Sequence, residues 1–390
     1  MINSQLVINF KIWNRLINSW KNKRFPHSIL FHGPAGSGKE GHALELAAYI
    51  NCLESNNNQS CGKCSSCIKI KMLQHENVKI ILPLPRGKLK SSTDPIEKAF
   101  TDKVLKEYKE MINIKKTNPY YSINLSGANT ILINSIRSIK KDISLSTINN
   151  EWKVIIIFQA EKLCIPSSEA ANSLLKILEE PPSKTLFILV SSFANSIIDT
   201  IHSRCQKIYF SPIPKEVIHK KLIKDGTDSM EAEIITKISN GNIKLAYELN
   251  NNTSDLLQNL FLLLNACFSK NPVIWNNSIN NIIKLKNNNT QRMQQVFYCA
   301  KLFFRDLFYY SNSSENNQII FQKYTSKIDS LTKKYYKADW YICIEHISNT
   351  QNYITKNGYV PLQLICMFQN INNSLIKKTN QIFDLDDWIN

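Results

Sequence analysis

Apolar positions divide the 390-residue chain into two regimes. In the first half, stretches of strand length at 28–31, 78–82, 153–158, 185–190 and 207–210, of which 153–158 and 185–190 are continuous apolar runs, alternate with longer stretches in which apolar residues recur every three or four positions. Continuous runs suit strands buried on both faces, and the wider spacing is that of one helix face. The helical stretches are 40–51, the series Ile133, Ile136, Ile139 and Ile143, and the series Ala170, Leu174, Leu175 and Leu178, which Pro181 and Pro182 stop. This alternation predicts an α/β domain over 1–211, a parallel sheet covered by helices. Pro212 and Pro214 mark a change of character, because beyond Lys215 only helical periodicity remains. A small helical domain over 212–250 and an all-helical domain over 251–390 are expected. The polar segments 250–254 and 286–290 read as loops. Residues 86–127 carry little pattern and read as an insertion, and no internal repeat is present.

Composition narrows the class. With 43% hydrophobic and 20% charged residues, the chain is of globular rather than disordered type. Its longest apolar runs, such as 154–158 and 260–264, fall far short of the ~20 residues of a membrane helix. The first ten residues lack a basic region followed by an apolar stretch and a cleavage site, so no secretion signal is expected and the cytoplasm is the expected location. A net charge of +17 invites a nucleic-acid reading, but the lysines are scattered and form no long basic run.

Gly33-Pro34-Ala35-Gly36-Ser37-Gly38-Lys39 follows the run at 28–31 and precedes the helix at 40–51, which is the setting of a phosphate-binding loop. In such a loop Gly33, Gly36 and Gly38 let backbone N–H groups turn toward phosphate oxygens, and Lys39 reaches the outer phosphates at the helix start. The next position should offer a hydroxyl to a magnesium ion, yet it is Glu40. The second metal-holding device is an acidic residue at the end of a buried strand. The strand at 153–158 ends instead in Phe158-Gln159, with Glu161 the only acid nearby, and that carboxylate reads as an exposed group at a helix start. Two losses point the same way, so no magnesium-dependent hydrolysis is expected. Nucleotide binding stays open between weak binding without turnover and an empty loop kept for its shape.

Four of the ten cysteines, Cys52, Cys61, Cys64 and Cys67, lie within sixteen residues in the pattern C-x8-C-x2-C-x2-C. Thiolates at this spacing can close a tetrahedron around zinc, and four protein ligands leave no open position for catalysis. The polar loop 54–60 has no core of its own, so a metal is expected to organise it. A reduced metal-free loop and a redox role for Cys64 and Cys67 are the alternatives. The other six cysteines, Cys164, Cys205, Cys267, Cys299, Cys343 and Cys366, stand singly in apolar surroundings and read as core thiols. The aromatic stretch Phe297, Phe303, Phe304, Phe308, Tyr309 and Tyr310 reads as helical core, with base stacking as the alternative.

The stretch 28–39, the run Ala170-Ala171-Asn172-Ser173-Leu174-Leu175-Lys176-Ile177-Leu178-Glu179-Glu180-Pro181-Pro182, then Thr185-Leu186-Phe187-Ile188-Leu189 and Ser203-Arg204-Cys205-Gln206 resemble the bacterial clamp-loader subunits of DNA polymerase III. The resemblance covers about the first 210 residues. It implies a P-loop domain of the AAA+ type with a zinc module after the phosphate-loop helix, a helical lid, and a helical collar that builds a ring. Within that family the gamma and tau subunits are motors, whereas delta-prime has decayed nucleotide motifs. Glu40, Phe158 and Gln159 align the chain with the latter. The lid arginine of active relatives has no counterpart here beyond Lys244. The resemblance further implies that Arg204, flanked by Ser203 and Cys205, is an arginine finger offered to a neighbouring subunit, where a guanidinium stabilises charge on the transferred phosphoryl group. Taken without the family, an arginine near a strand end is a surface ion pair. The implied partners are gamma/tau and delta subunits, and, through the complex, the sliding clamp and primer–template DNA. Two other readings stand beside this one: a gamma-like motor using Glu40 or Glu161 as a substitute acid, and a zinc-module DNA-binding protein built on an inactive loop.

Overall fold

The computed structural model describes residues 1–144, 151–251, 253–312 and 319–375. It divides into two compact units. The first comprises Met1–Pro214 with Gly241–Lys244, and the second Lys215–Asn240 with the described residues from Leu245 onward.

The first unit holds five parallel strands, β1 (Ser28–His32), β2 (Val78–Ile81), β3 (Lys153–Phe158), β4 (Thr185–Ser191) and β5 (Gln206–Tyr209), in the order β2-β3-β4-β1-β5. Strands β3 and β4 are buried along their whole length, which explains their unbroken apolar character. Helices α1 (Phe10–Lys21), α2 (Lys39–Ile50), α3 (Ser65–Lys71), α4 (Asp102–Thr117), α5 (Ile133–Ser144), α6 (Glu169–Glu179) and α7 (Asp199–Arg204) complete the unit. One apolar cluster joins α1 and α2 to Ile29, Phe31, Ile156 and Ile188, and another joins α5 and α6 to Leu30, Ile155, Ile157 and Leu189. Successive residues of a strand point to opposite faces, so the sheet is covered on both sides.

The stretch 86–127, weakly patterned in sequence, contains the sixteen-residue helix α4 and a satellite core. Val104, Tyr108, Met111 and Ile112 of α4 pack against a group that includes Leu82, Leu84, Ile123 and Leu125. Their spacing is helical, but eight Lys, Asp and Glu residues between 102 and 116 mask it.

The second unit is helical throughout its described residues: α8 (Lys215–Lys224), α9 (Ser229–Ser239), α10 (Ile243–Asn250, whose first residues belong to the first unit), α11 (Thr253–Phe268), α12 (Pro272–Asn288), α13 (Thr290–Asn312), α14 (Thr325–Lys334), α15 (Trp340–Thr355) and α16 (Val360–Ser374). The loop expected at 286–290 shrinks to one extended residue, Asn289, because α12 runs to Asn288. In the loop expected at 250–254, residue 252 lies outside the described residues, and α11 already begins at Thr253. Phe297, Phe303 and Phe304 fill the core, and Phe268 stacks on Phe304 with ring centroids 5.4 Å apart. Phe308 and Tyr309 instead stand on the outer side of α13, beside buried Leu307, and Tyr310 is half-buried. Cys366 is likewise exposed, not the core thiol expected. The buried face of α16 runs through Val360, Leu364, Met367, Phe368 and Ile371, and position 366 points away from it. Cys164 is only half-buried, whereas Cys205, Cys267, Cys299 and Cys343 are buried as expected.

Candidate functional sites: the phosphate loop, the cysteine quartet and Arg204

Strand β1 delivers the glycine loop to the start of α2, which begins at Lys39 with Gly38 in the left-handed conformation as its cap. Two glycines are needed for space as well as for backbone freedom. A Cβ on Gly33 would come within 2.1 Å of the Phe210 carbonyl oxygen, and one on Gly36 within 1.8 Å of Asn242 Oδ1. Lys39 is buried, and its ammonium donates to the carbonyls of Gly33 (2.8 Å) and Pro34 (2.7 Å), with Ser37 and Ser192 hydroxyls at 3.4 and 3.3 Å. Burial lowers its pKa to about 8, against the pull of Glu40 and Glu161. His42, fully buried on α2, donates from Nδ1 to the Gly38 carbonyl at 2.8 Å and accepts the Asn9 N–H at Nε2, 3.0 Å away. The loop is therefore pinned from behind.

The positions that would hold a metal ion are occupied otherwise. Glu40 forms an ion pair with Lys115 from α4, whose side chain is wholly buried. The Lys115 ammonium also donates to the carbonyls of Pro119 (3.2 Å) and Tyr121, and lies 5.2 Å from the centroid of the Phe158 ring. Burial pushes its pKa down, and Glu40 opposes the shift. Gln159 has a left-handed backbone, and its amide donates to the Ile123 carbonyl and to Asn124 Oδ1 at 3.1 and 2.9 Å. Glu161, expected to be exposed, is buried and accepts the Ser191 hydroxyl at 2.6 Å. It lies in the short 3₁₀ turn after β3 that tucks under the end of β4, and sequence spacing gives no sign of this.

The cleft beside the loop is lined by Gly36, Lys39, Glu40, Tyr120, Glu161 and Lys244, among others, and has a volume of about 70 Å³. Sites for small organic ligands run to about 300 Å³ or more. Tyr120 narrows it: its ring lies 3.4 Å from where a Gly38 Cβ would be, and its hydroxyl accepts the Val7 N–H at 2.6 Å. Lys115 and Tyr120 were not foreseen from the sequence. Lys115 meets Glu40 across 75 residues, and no local motif marks such a pair.

The sulfur atoms of Cys52, Cys61, Cys64 and Cys67 lie within 4.8 Å of one another, with Cys61 and Cys67 at 3.9 Å. Zinc–sulfur bonds of ~2.3 Å in a tetrahedron place sulfurs about 3.8 Å apart, so the four could hold a metal ion with a small contraction. Backbone N–H groups already aim at the sulfurs: Cys61 N–H at Cys52 Sγ (3.2 Å), Cys64 N–H at Cys61 Sγ (3.2 Å) and Cys67 N–H at Cys64 Sγ (3.5 Å). The Lys63 and Cys64 N–H groups draw the Cys61 thiol down to about 6, while burial drives Cys67 and Cys52 up. A divalent cation would let all four ionise together. The loop at 54–60 is held by protein contacts too, contrary to expectation. Asn57 and Asn58 are left-handed residues of a tight turn closed between Asn56 and Gln59. The Asn58 carbonyl accepts Trp13 Nε1–H at 2.9 Å, and the Ser60 hydroxyl donates to buried Glu45 at 2.6 Å.

Arg204 closes α7, immediately before β5. Its guanidinium pairs with Glu179 at the end of α6 and donates to the Thr200 carbonyl at 2.9 Å, with about a third of the side chain exposed. The Arg204 carbonyl accepts the hydroxyl of Ser28, the first residue of β1, and Ile29 is in register with Gln206. The phosphate loop leaves the other end of β1. Five residues at about 3.3 Å each put roughly 16 Å of strand between the two features. The Ser203 hydroxyl donates to the Thr200 carbonyl. Cys205 is buried in the core, which pushes its thiol up to about 11. Neither flanking side chain is presented with the guanidinium.

A parallel sheet in this strand order, with a glycine loop and lysine after β1, defines the P-loop class of nucleoside-triphosphatase folds. The chain belongs to the family described as DNA polymerase III, delta subunit, which matches residues 8–214. It is 27% identical over 242 residues to DNA polymerase III subunit delta' of Bacillus subtilis, covering 62% of this chain and 59% of that one. It is 24% identical over 220 residues to subunit delta' of Escherichia coli, covering 56% and 53%. Subunit tau of Bacillus subtilis matches at 27% identity over 213 residues, covering 55% and 30%. The match thus spans less than two thirds of each of these relatives. Among solved structures, a gamma subunit-related protein of Thermotoga maritima aligns over 92% of this chain and 99% of its own, at 16% identity and a TM-score of 0.38. No helix among the described residues is long and apolar enough to cross a membrane.

Proposed function

We propose that this chain is a delta-prime-type subunit of a DNA polymerase III clamp loader, one that does not hydrolyse ATP and lends Arg204 to a neighbouring ATPase subunit. The observation that carries this reading is the placement of Arg204 at the end of the sheet opposite the chain's own phosphate loop. From there the guanidinium cannot serve the loop of the same chain, whereas about a third of its side chain is open to a neighbour. Loss of both metal-holding positions, to Glu40 and Phe158, supports the absence of hydrolysis. The partners are gamma/tau and delta subunits, with the sliding clamp and primer–template DNA reached through the complex. The cysteine quartet holds a structural zinc ion, as its donor set and N–H···S contacts favour. Arg204→Ala in the assembled loader tests the reading. Exposed ion pairs contribute at most about 1 kcal/mol, so assembly should persist. DNA-stimulated ATP turnover should fall at least tenfold, since fingers contribute about 10³ or more to a single site. Unchanged turnover refutes the donor role.

The match to subunit tau favours one second reading, an ATP-hydrolysing motor. It would need Glu40 or Glu161 to hold magnesium. Glu40 is committed to Lys115, and Glu161 accepts the Ser191 hydroxyl. ATP hydrolysis by the purified chain, lost in Lys39→Ala, would establish the motor.

A further inference from the structure

The two residues that depart from a metal-binding loop share one contact. Glu40 stands where the metal's hydroxyl ligand would be and Phe158 where its carboxylate would be, and both face the ammonium of Lys115. An ammonium has three protons to donate. Here the partners are a Glu40 carboxylate oxygen, the Pro119 carbonyl and the Tyr121 carbonyl, with the negative face of the Phe158 ring alongside. The shell is complete and dry, since the Lys115 side chain has no exposed surface. Sequence explains how it is built. The apolar stripe of α4 anchors the helix to its satellite core, and the chain then turns through Pro119 to lay Tyr120 against Gly38. One short stretch thus supplies both the cation and the side chain that narrows the cleft.

We propose that Lys115 is a built-in replacement for the divalent cation, and that residues 115–121 seal the phosphate loop so that it takes no magnesium–nucleotide complex. This rests on reading the chain as a subunit without hydrolysis, and it adds the device that keeps the loop shut. A bound magnesium ion would have to displace the ammonium and would then find Glu40 and an aromatic ring, while Glu161, the other carboxylate on the cleft, already accepts the Ser191 hydroxyl. Glu40 freed of Lys115 would also repel the phosphates. The glycine loop keeps its shape because Lys39 is satisfied by loop carbonyls, so no anion is needed to hold it.

Calorimetric titration of the full chain with the slowly hydrolysed analogue ATPγS, with and without excess magnesium, tests the proposal. Wild-type protein should not bind the analogue when magnesium is present. The double substitution Glu40→Thr with Lys115→Met removes the two charges together and restores a hydroxyl, so no lone buried charge remains. It should gain at least about tenfold in affinity when magnesium is added, which is 1.4 kcal/mol. The proposal is overturned if the wild type binds the analogue in the presence of magnesium, and most plainly if magnesium tightens that binding. It is overturned equally if the double variant keeps the wild-type unfolding midpoint and gains nothing. Should that variant not fold, the wild-type titration decides alone. The two claims separate cleanly: magnesium-tightened binding refutes the role of Lys115 and leaves the donor role of Arg204 intact, whereas unchanged loader turnover in Arg204→Ala does the reverse.

Discussion

Acidification should loosen the phosphate-loop unit through His42, and the size of the effect follows from its surroundings. The imidazole is fully buried and uses both nitrogens, Nδ1–H toward the Gly38 carbonyl and Nε2 as acceptor for the Asn9 N–H. A second proton would remove that acceptor and place a charge in the core. Burial accordingly holds the pKa near about 4, below the ordinary 6.5, although the Gly38 contact pulls the other way. As pH falls, the unfolded chain takes up the proton first, so the contribution to stability is complete above pH 6.5 and is lost on the way down to about pH 4. At 1.36 kcal/mol for each unit of difference, wild type should lose about 2 kcal/mol through this one residue between pH 7 and pH 5. His42→Gln keeps an acceptor for Asn9 but does not titrate. Urea unfolding of both proteins at the two pH values isolates the effect, because other groups cancel in the difference. The wild-type midpoint should drop by about 1 M more than the variant's, for a slope of about 2 kcal/mol per M. Equal drops in the two proteins would refute the tautomer assigned here and the burial argument with it.

Zinc analysis of protein purified under reducing conditions should give one ion per chain, and Cys64→Ser should give none while exposing 52–67 to protease; a variant that keeps its metal would remove Cys64 from the ligand set. Glu179→Gln should free the Arg204 guanidinium without removing it, so loader turnover should stay within about fivefold of wild type, the range that an exposed ion pair of up to 1 kcal/mol permits. A loss as deep as that of Arg204→Ala would show that Glu179 does more than hold the arginine in place.

Much of the first unit was legible because its signals are local. The runs at 153–158 and 185–190 are unbroken because both faces of β3 and β4 are covered, and the glycine loop carries its geometry in seven consecutive residues. What escaped depends on distant partners. Glu161 reads as a surface acid until the Ser191 hydroxyl, thirty residues on, is placed against it. Helix α4 hid behind its charges, and Lys115 counts as polar in any periodicity although its side chain is wholly enclosed. The cysteine quartet was legible as a donor set, but the hold that Trp13 and Glu45 exert on its loop was not. Cys366 shows the opposite error, since an apolar neighbourhood in sequence need not be one on a helix surface.

Parallel strands give a sheet a head and a tail, and this chain has made the two unlike. Its tail carries a guanidinium tied to Glu179 yet still about a third open, while its head is filled from within by an ammonium. On the function proposed above, such a protein would complete a neighbour's reaction centre on one flank and need no such help on the other.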